Sequence, residues 1–341
     1  MSPQFVDFDA DGKLDIVAGI FDGSPHLVRG TAQGFGQPEQ IRDRDGARIV
    51  LNAFWNFDTK KWDSTKRHDS AQFPAAAEGH ITSALAIDLD ADGDLDLLLG
   101  DHRSGRIYQR FNEGTAAQPR FSTCNEPLLV DGKPTDVPGT VATLRLVDWN
   151  RDGRLDLAVG SMGDAYQEGE GGGVFLFANT GTGKVPAFGA PITLLERSKK
   201  GRTEPTRPDS GIYMDFADHD GDGDLDMVVG GYSHWNPPKP VLTAEQEQRA
   251  AELKKEIAVL NKATSDIYQA IDKAIEGLDE AAADKKRTEL FAERREEMGK
   301  LGKQRQELQK ELDPLVPGAK RQSWVWLYEN TATTVPPPPP R

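Results

Sequence analysis

Asp7, Asp9 and Asp11 stand on alternate positions of the stretch DFDADGKLDIVAG; Gly12 follows at once, and Asp15 closes the group at the mouth of an apolar run. Carboxylates at the first, third, fifth and ninth positions, with a glycine at the sixth for the sharp turn, wrap hard oxygen ligands around one cation. The carbonyl of Lys13 supplies a further oxygen. A donor set made only of oxygen selects calcium over zinc or copper. Without a cation, four carboxylates in so short a loop repel one another. The competing reading is that the aspartates only hydrogen-bond the turn and bind no metal.

The same pattern returns as DLDADGDLDLLLG from Asp88, DWNRDGRLDLAVG from Asp148 and DHDGDGDLDMVVG from Asp218. Position twelve, where a helix-flanked EF-hand loop places a bidentate glutamate, is Ala18, Leu99, Val159 or Val229. Each loop therefore leads into a short buried strand closed by glycine rather than into a helix. An aromatic strand follows each motif (HLVRGT, RIYQRFNEGT, VFLFANTGT, WVWLYENTAT), and three units add a stretch rich in Phe and Pro. About four short strands per unit is the pattern of propeller blades. Spacings of 81, 60 and 70 residues between motifs require insertions, one at 52–80 and one at 241–313.

The repeated D-x-D-x-D-G-x-x-D followed by an apolar strand and glycine resembles the FG-GAP or VCBS-type repeat of integrin-like β-propellers. The resemblance implies an all-β propeller of four such blades, with about four calcium ions held in hairpin loops. It implies as ligands Asp7, Asp9, Asp11 and Asp15; Asp88, Asp90, Asp92 and Asp96; Asp148, Asn150, Asp152 and Asp156; and Asp218, Asp220, Asp222 and Asp226. The carbonyls of Lys13, Asp94, Arg154 and Asp224 would complete the loops. The third loop departs from the pattern at Asn150 and is flanked by Arg151 and Arg154, so it is expected to bind calcium most weakly.

From Thr243 the composition changes to that of helix. Thr243 with Gln246 reads as a capping box, and Leu253, Ile257, Leu260, Thr264, Ile267, Ile271, Ala274 and Leu278 alternate at spacings of four and three. Phe291, Arg294, Met298, Leu301, Arg305, Leu308 and Leu312 do the same, which predicts an antiparallel coiled-coil hairpin over 241–313, broken near GLDEAAAD. The expected organisation is blades over 1–240, this hairpin inserted into the fourth blade, the blade's final strand over 314–333, and a polyproline II tail over 334–341. The hairpin is either a spacer or an arm for a partner or for self-association.

The 341-residue chain carries a formal net charge of −14, which repels nucleic acid, and has no apolar run long enough to span a membrane. Cys124 is the only cysteine, so no intramolecular disulfide forms. The chain opens inside the first repeat without a leader; it either stays where it is made or is a fragment. Calcium loops of this kind need free calcium of about 10⁻⁴ to 10⁻³ M, which favours an extracellular or periplasmic site. No hydrolase, zinc-protease or dinucleotide motif occurs. ANTGTGK, residues 178–184, lacks the first glycine and the final hydroxyl of a phosphate loop. His26, His68, His80, His102, His219 and His234 show no metal-ligand spacing. The expectation is a non-enzymatic adhesion or binding scaffold for a protein or glycan, with Trp55, Trp62, Tyr232, His234 and Trp235 as candidate contacts. The alternative is the propeller domain of a polysaccharide-degrading enzyme such as a lyase. Closure of the ring is left open: four blades, a larger propeller, or two chains completing each other.

Overall fold

The computed structural model describes residues 3–65, 79–163 and 169–331. His68 and the proline-rich tail lie outside the described residues. The chain is mostly β, with two helices, and divides into two compact units: Met1–Trp235 with Arg321–Arg341, and Asn236–Lys320.

In the β unit each aspartate motif sits between the first and second strands of a sheet. The first sheet runs Gln4–Val6, Asp15–Gly19, Pro25–Val28 and Glu39–Gln40. The second is formed by Ile81–Ile87, Asp96–Asp101, Ile107–Arg110 and Glu126–Pro127, and the third by Thr140–Val147, Asp156–Met162, Val174–Phe177 and Ile192–Leu195. The fourth has three strands, Ser210–Ala217, Asp226–Trp235 and Lys320–Tyr328. The last two of these are neighbours in the sheet, and the helical segment occupies the connection between them. The expected loop at 52–80 contains a hairpin of its own, Ala53–Asn56 with Lys61–Ser64, in which Trp55 faces Trp62 across the strands.

The second strands of sheets two and three are covered on both faces, Asp96–Asp101 being buried at every position and Asp156–Met162 at all but the last, whereas Asp15–Gly19 alternates buried with half-buried positions. Three clusters fill the spaces between successive sheets. Val17, Leu27, Leu97 and Leu99 belong to the first, Leu85, Leu98, Leu144 and Val159 to the second, and Ala158, Leu176, Ile212 and Val229 to the third.

The first strands of the four sheets lie side by side. The Gln4 amide exchanges hydrogen bonds with the backbone of Ala86, the Leu144 N–H donates to Ser83 Oγ, and Thr143 Oγ1 donates to the carbonyl of Ile212. Arg145 reaches the carbonyl of Pro3 in the first sheet and the carboxylate of Asp215 in the fourth.

The glycine that closes each motif ends its strand only at Gly19, the other three strands running on past Gly100, Gly160 and Gly230, and in the first three sheets it marks where one sheet meets the next. A Cβ on Gly19 would lie 2.7 Å from the backbone N of Ser83, and one on Gly160 would lie 2.9 Å from the carbonyl of Ile212. On Gly100 it would collide with the carbonyl of Ala142. Gly230, in the fourth sheet, meets only its own neighbour Tyr213, at 3.8 Å. The described residues thus show three inter-sheet interfaces for four sheets and no closed ring.

In the second unit, α1 (Ala244–Ile275) and α2 (Glu280–Leu312) form a hairpin-like pair. The Thr243 capping box is present, with its hydroxyl accepting from the N–H of Gln246 and the Gln246 side chain accepting from the N–H of Thr243. Leu253, Ile257, Ile267 and Ile271 are buried, whereas Leu278 is exposed beyond the end of α1. Asp279 caps α2.

Candidate metal loops and an aromatic cavity

The loops have a shared hydrogen-bond plan. The first-position carboxylate accepts from backbone N–H groups across the turn: Asp7 from Asp11 and Gly12, Asp88 from Ala91 and Gly93, Asp148 from Asp152 and Gly153, and Asp218 from Gly221. The fifth-position carboxylates of Asp11, Asp92, Asp152 and Asp222 accept from the N–H two residues on. The sixth-position glycines have φ between +84° and +100°. Position four is left-handed too: φ is 57° at Ala10, 66° at Ala91, 58° at Arg151 and 78° at Gly221. That second strained position was not read from the sequence, because only the fourth unit writes a glycine there.

Turn bonding does not use up the carboxylates. Ligand atoms of Asp7, Asp9 and Asp15 lie within 4.8 Å of one another, as do those of Asp88, Asp90 and Asp96 and those of Asp218, Asp220 and Asp222. Asp9 Oδ1 is buried with no hydrogen-bond partner, while its other oxygen pairs with Arg29. Asp94 Oδ1 and Asp224 Oδ1, at the seventh positions, are likewise buried and unpartnered. Burial and the neighbouring aspartates push the Asp94 and Asp224 carboxyls above the usual range, and burial pushes Asp96 up to about 6. Such uncompensated oxygens fit a hard divalent cation. In the third loop Asn150 removes a charge and Arg154 pairs with Asp152. Lys13 pairs with Asp11 in the first loop, holding that carboxyl below its usual range.

The ninth-position aspartate has a second role that the spacing did not reveal. Asp15, Asp96, Asp156 and Asp226 are all buried. One oxygen of each accepts from the N–H of the motif's second residue, Phe8, Leu89, Trp149 or His219. The other accepts from the residue two positions beyond the third strand, Gly30, Asn112, Asn179 or Asn330. Each therefore staples three strands of its sheet at the loop. Those two bonds hold the Asp226 carboxyl below its usual range. Asn112 and Asn179 continue the plan, each accepting from two backbone N–H groups of the following turn. The signal in sequence is the repeated Asn-x-Gly-Thr after the aromatic strand.

Of the five candidate aromatic contacts, the structure brings Trp62 and Tyr232 into one cavity of about 570 Å³, together with Phe21, His80, His102 and Tyr213. The lining comes from strands of the second, third and fourth sheets, from the turn at Ile20 and Phe21 after the second strand of the first, and from the Trp hairpin. Trp62 packs edge-on to Phe21 at 5.3 Å and sits 4.6 Å from His80, whose ring stacks on His102 at 4.2 Å. Burial and the adjacent His102 lower His80 to about 4, and desolvation lowers His102 as well, less so because His102 is exposed. Trp55 stands behind Trp62, and His234 stands edge-on to Tyr232; neither lines the cavity, nor does Trp235. The pairing of His80 with His102, 22 residues apart, had no spacing signature.

A family model for the FG-GAP-like repeat matches residues 88–159 and 148–229. Each match starts at the first aspartate of one loop and ends in the apolar strand after the next, so the two span the second, third and fourth loops. The search of curated proteins finds no match. Residues 88–229 are thus similar to FG-GAP-like repeats, two of them overlapping across the third loop.

Proposed function

We propose that the chain is a calcium-stabilised β-propeller of FG-GAP-type units that binds a ligand without turning it over, in an extracellular or periplasmic setting. The observation that carries this reading is the recurrence of one loop plan in which clustered carboxylates retain oxygens that no protein donor satisfies, Asp9 Oδ1 above all. A hard cation there replaces mutual repulsion with coordination and ties the first two strands of each sheet together. The repeat family and the side-by-side first strands support the propeller. Non-enzymatic binding is supported by the aromatic cavity, whose lining brings together rings rather than a carboxylate pair or a nucleophile with its base. The calcium range in which such loops fill, about 10⁻⁴ to 10⁻³ M, supports the location.

Thermal unfolding with millimolar calcium and with chelator, alongside calorimetric titration, tests the reading. A cation bound only by the folded state raises the melting temperature. Three or four sites and a rise of several degrees are expected; no binding and no shift would leave the aspartates as turn formers.

A further inference from the structure

We propose that the cavity between the four sheets is a saccharide site that takes an uncharged pyranose unit against Trp62, with His80 and His102 as its polar contacts. The proposal rests on the reading of the molecule as a binding scaffold and names the ligand class of its cavity.

Among the described residues, no carboxylate, lysine or arginine lines the cavity. Burial keeps His80 neutral across the physiological range, and His102 is lowered in the same sense. An anion therefore finds no counter-charge among the described lining residues; the Arg321 guanidinium lies against the Tyr232 ring rather than in the lining. A cation fares no better: the Tyr232 face already receives the guanidinium of Arg321 at 3.9 Å, and no described lining residue is an acid that could replace the water a cation would lose. A neutral ring with one apolar face and hydroxyls at its edge matches what remains. Trp62, 41 % exposed, and Phe21, 68 % exposed, form an open apolar wall at the rim. Neither imidazole makes a hydrogen bond to another described residue, so each neutral ring brings one donor and one acceptor. The volume of about 570 Å³ falls within the range of small-ligand sites.

The test is titration of the full chain in millimolar calcium, followed by tryptophan fluorescence and calorimetry. The probes are cellobiose, lactose, maltose and laminaribiose, with glucuronic acid, choline and a proline-rich peptide as contrasting ligands. At least one neutral disaccharide is expected to bind, with affinity at least tenfold weaker in Trp62→Ala, weakened also in Phe21→Ala, and largely restored in Trp62→Phe. Phe21 is 68 % exposed, so Phe21→Ala should leave the melting temperature near the wild-type value; Trp62→Ala also loses ring contacts to Trp55 and His80, so its titration is run well below its own melting temperature. Failure of every neutral sugar, binding indifferent to Trp62→Ala, or preference for choline, glucuronic acid or the peptide overturns the proposal. Calcium stoichiometry measured on the same sample separates the two readings: sugar binding without calcium sites sinks the loop assignment alone, and calcium sites without sugar binding sink this one alone.

Discussion

Asp220 and Asp226 stand in one loop and one motif, yet their environments predict opposite behaviour on substitution. Asp220 is exposed and clusters with Asp218 and Asp222, so its charge matters when a cation is present. Asp226 is buried and accepts from His219 and Asn330 whether or not a cation is present. Asp226→Asn turns an acceptor oxygen into an NH₂ that faces a backbone N–H and leaves a buried donor unsatisfied. A loss of about 1–3 kcal/mol is expected in calcium and in chelator alike. Asp220→Asn is expected to lower the melting temperature only in calcium, and in chelator to leave it unchanged or slightly raised, because one like charge is gone. Denaturant titrations of both variants under both conditions provide the check. If the two variants respond alike, the division between staple and ligand is wrong.

At the scale of the element, the four motif strands carry the same glycine for reasons that only the assembled sheets expose. Alternation of aspartates, the glycine turn and the apolar run were enough to place loop and strand, because each is a local property of a dozen residues. The capping box at Thr243 was legible for the same reason. What is not local was not legible: the tryptophan hairpin inside the 52–80 segment, the meeting of His80 with His102, and the absence of a fourth inter-sheet cluster among the described residues depend on contacts between residues far apart in the chain. The glycines register that third fact. Gly100→Ala drives a methyl into the carbonyl of Ala142 and should cost about 2–3 kcal/mol as sheets two and three are forced apart. Gly230→Ala, with open space beyond Tyr213, should cost little beyond its effect on the strand itself. Equal costs measured by chemical unfolding would mean that the fourth sheet is packed against something in solution as closely as the first three are packed against one another.

For the whole molecule the governing quantity is charge. The formal net charge of −14 is concentrated at the loops, and ions in the three carboxylate clusters would bring it to −8. Salt and calcium should therefore act as partial substitutes. In chelator the loop carboxylates repel across a few ångströms, and mobile ions screen that repulsion because many of them are exposed. Raising sodium chloride from about 10 mM to about 500 mM shortens the screening length from roughly 30 Å to below the roughly 8 Å of physiological salt. The melting temperature of the chelated protein should climb over this range. In calcium the repulsion is already neutralised, and salt now weakens the attraction between cation and carboxylate, so the melting temperature should stay level or fall slightly. The gap between the two curves should narrow as salt rises. Parallel curves would show that the stability conferred by calcium does not come from relief of carboxylate repulsion, and the clustered acid would then need a different explanation, such as solubility alone.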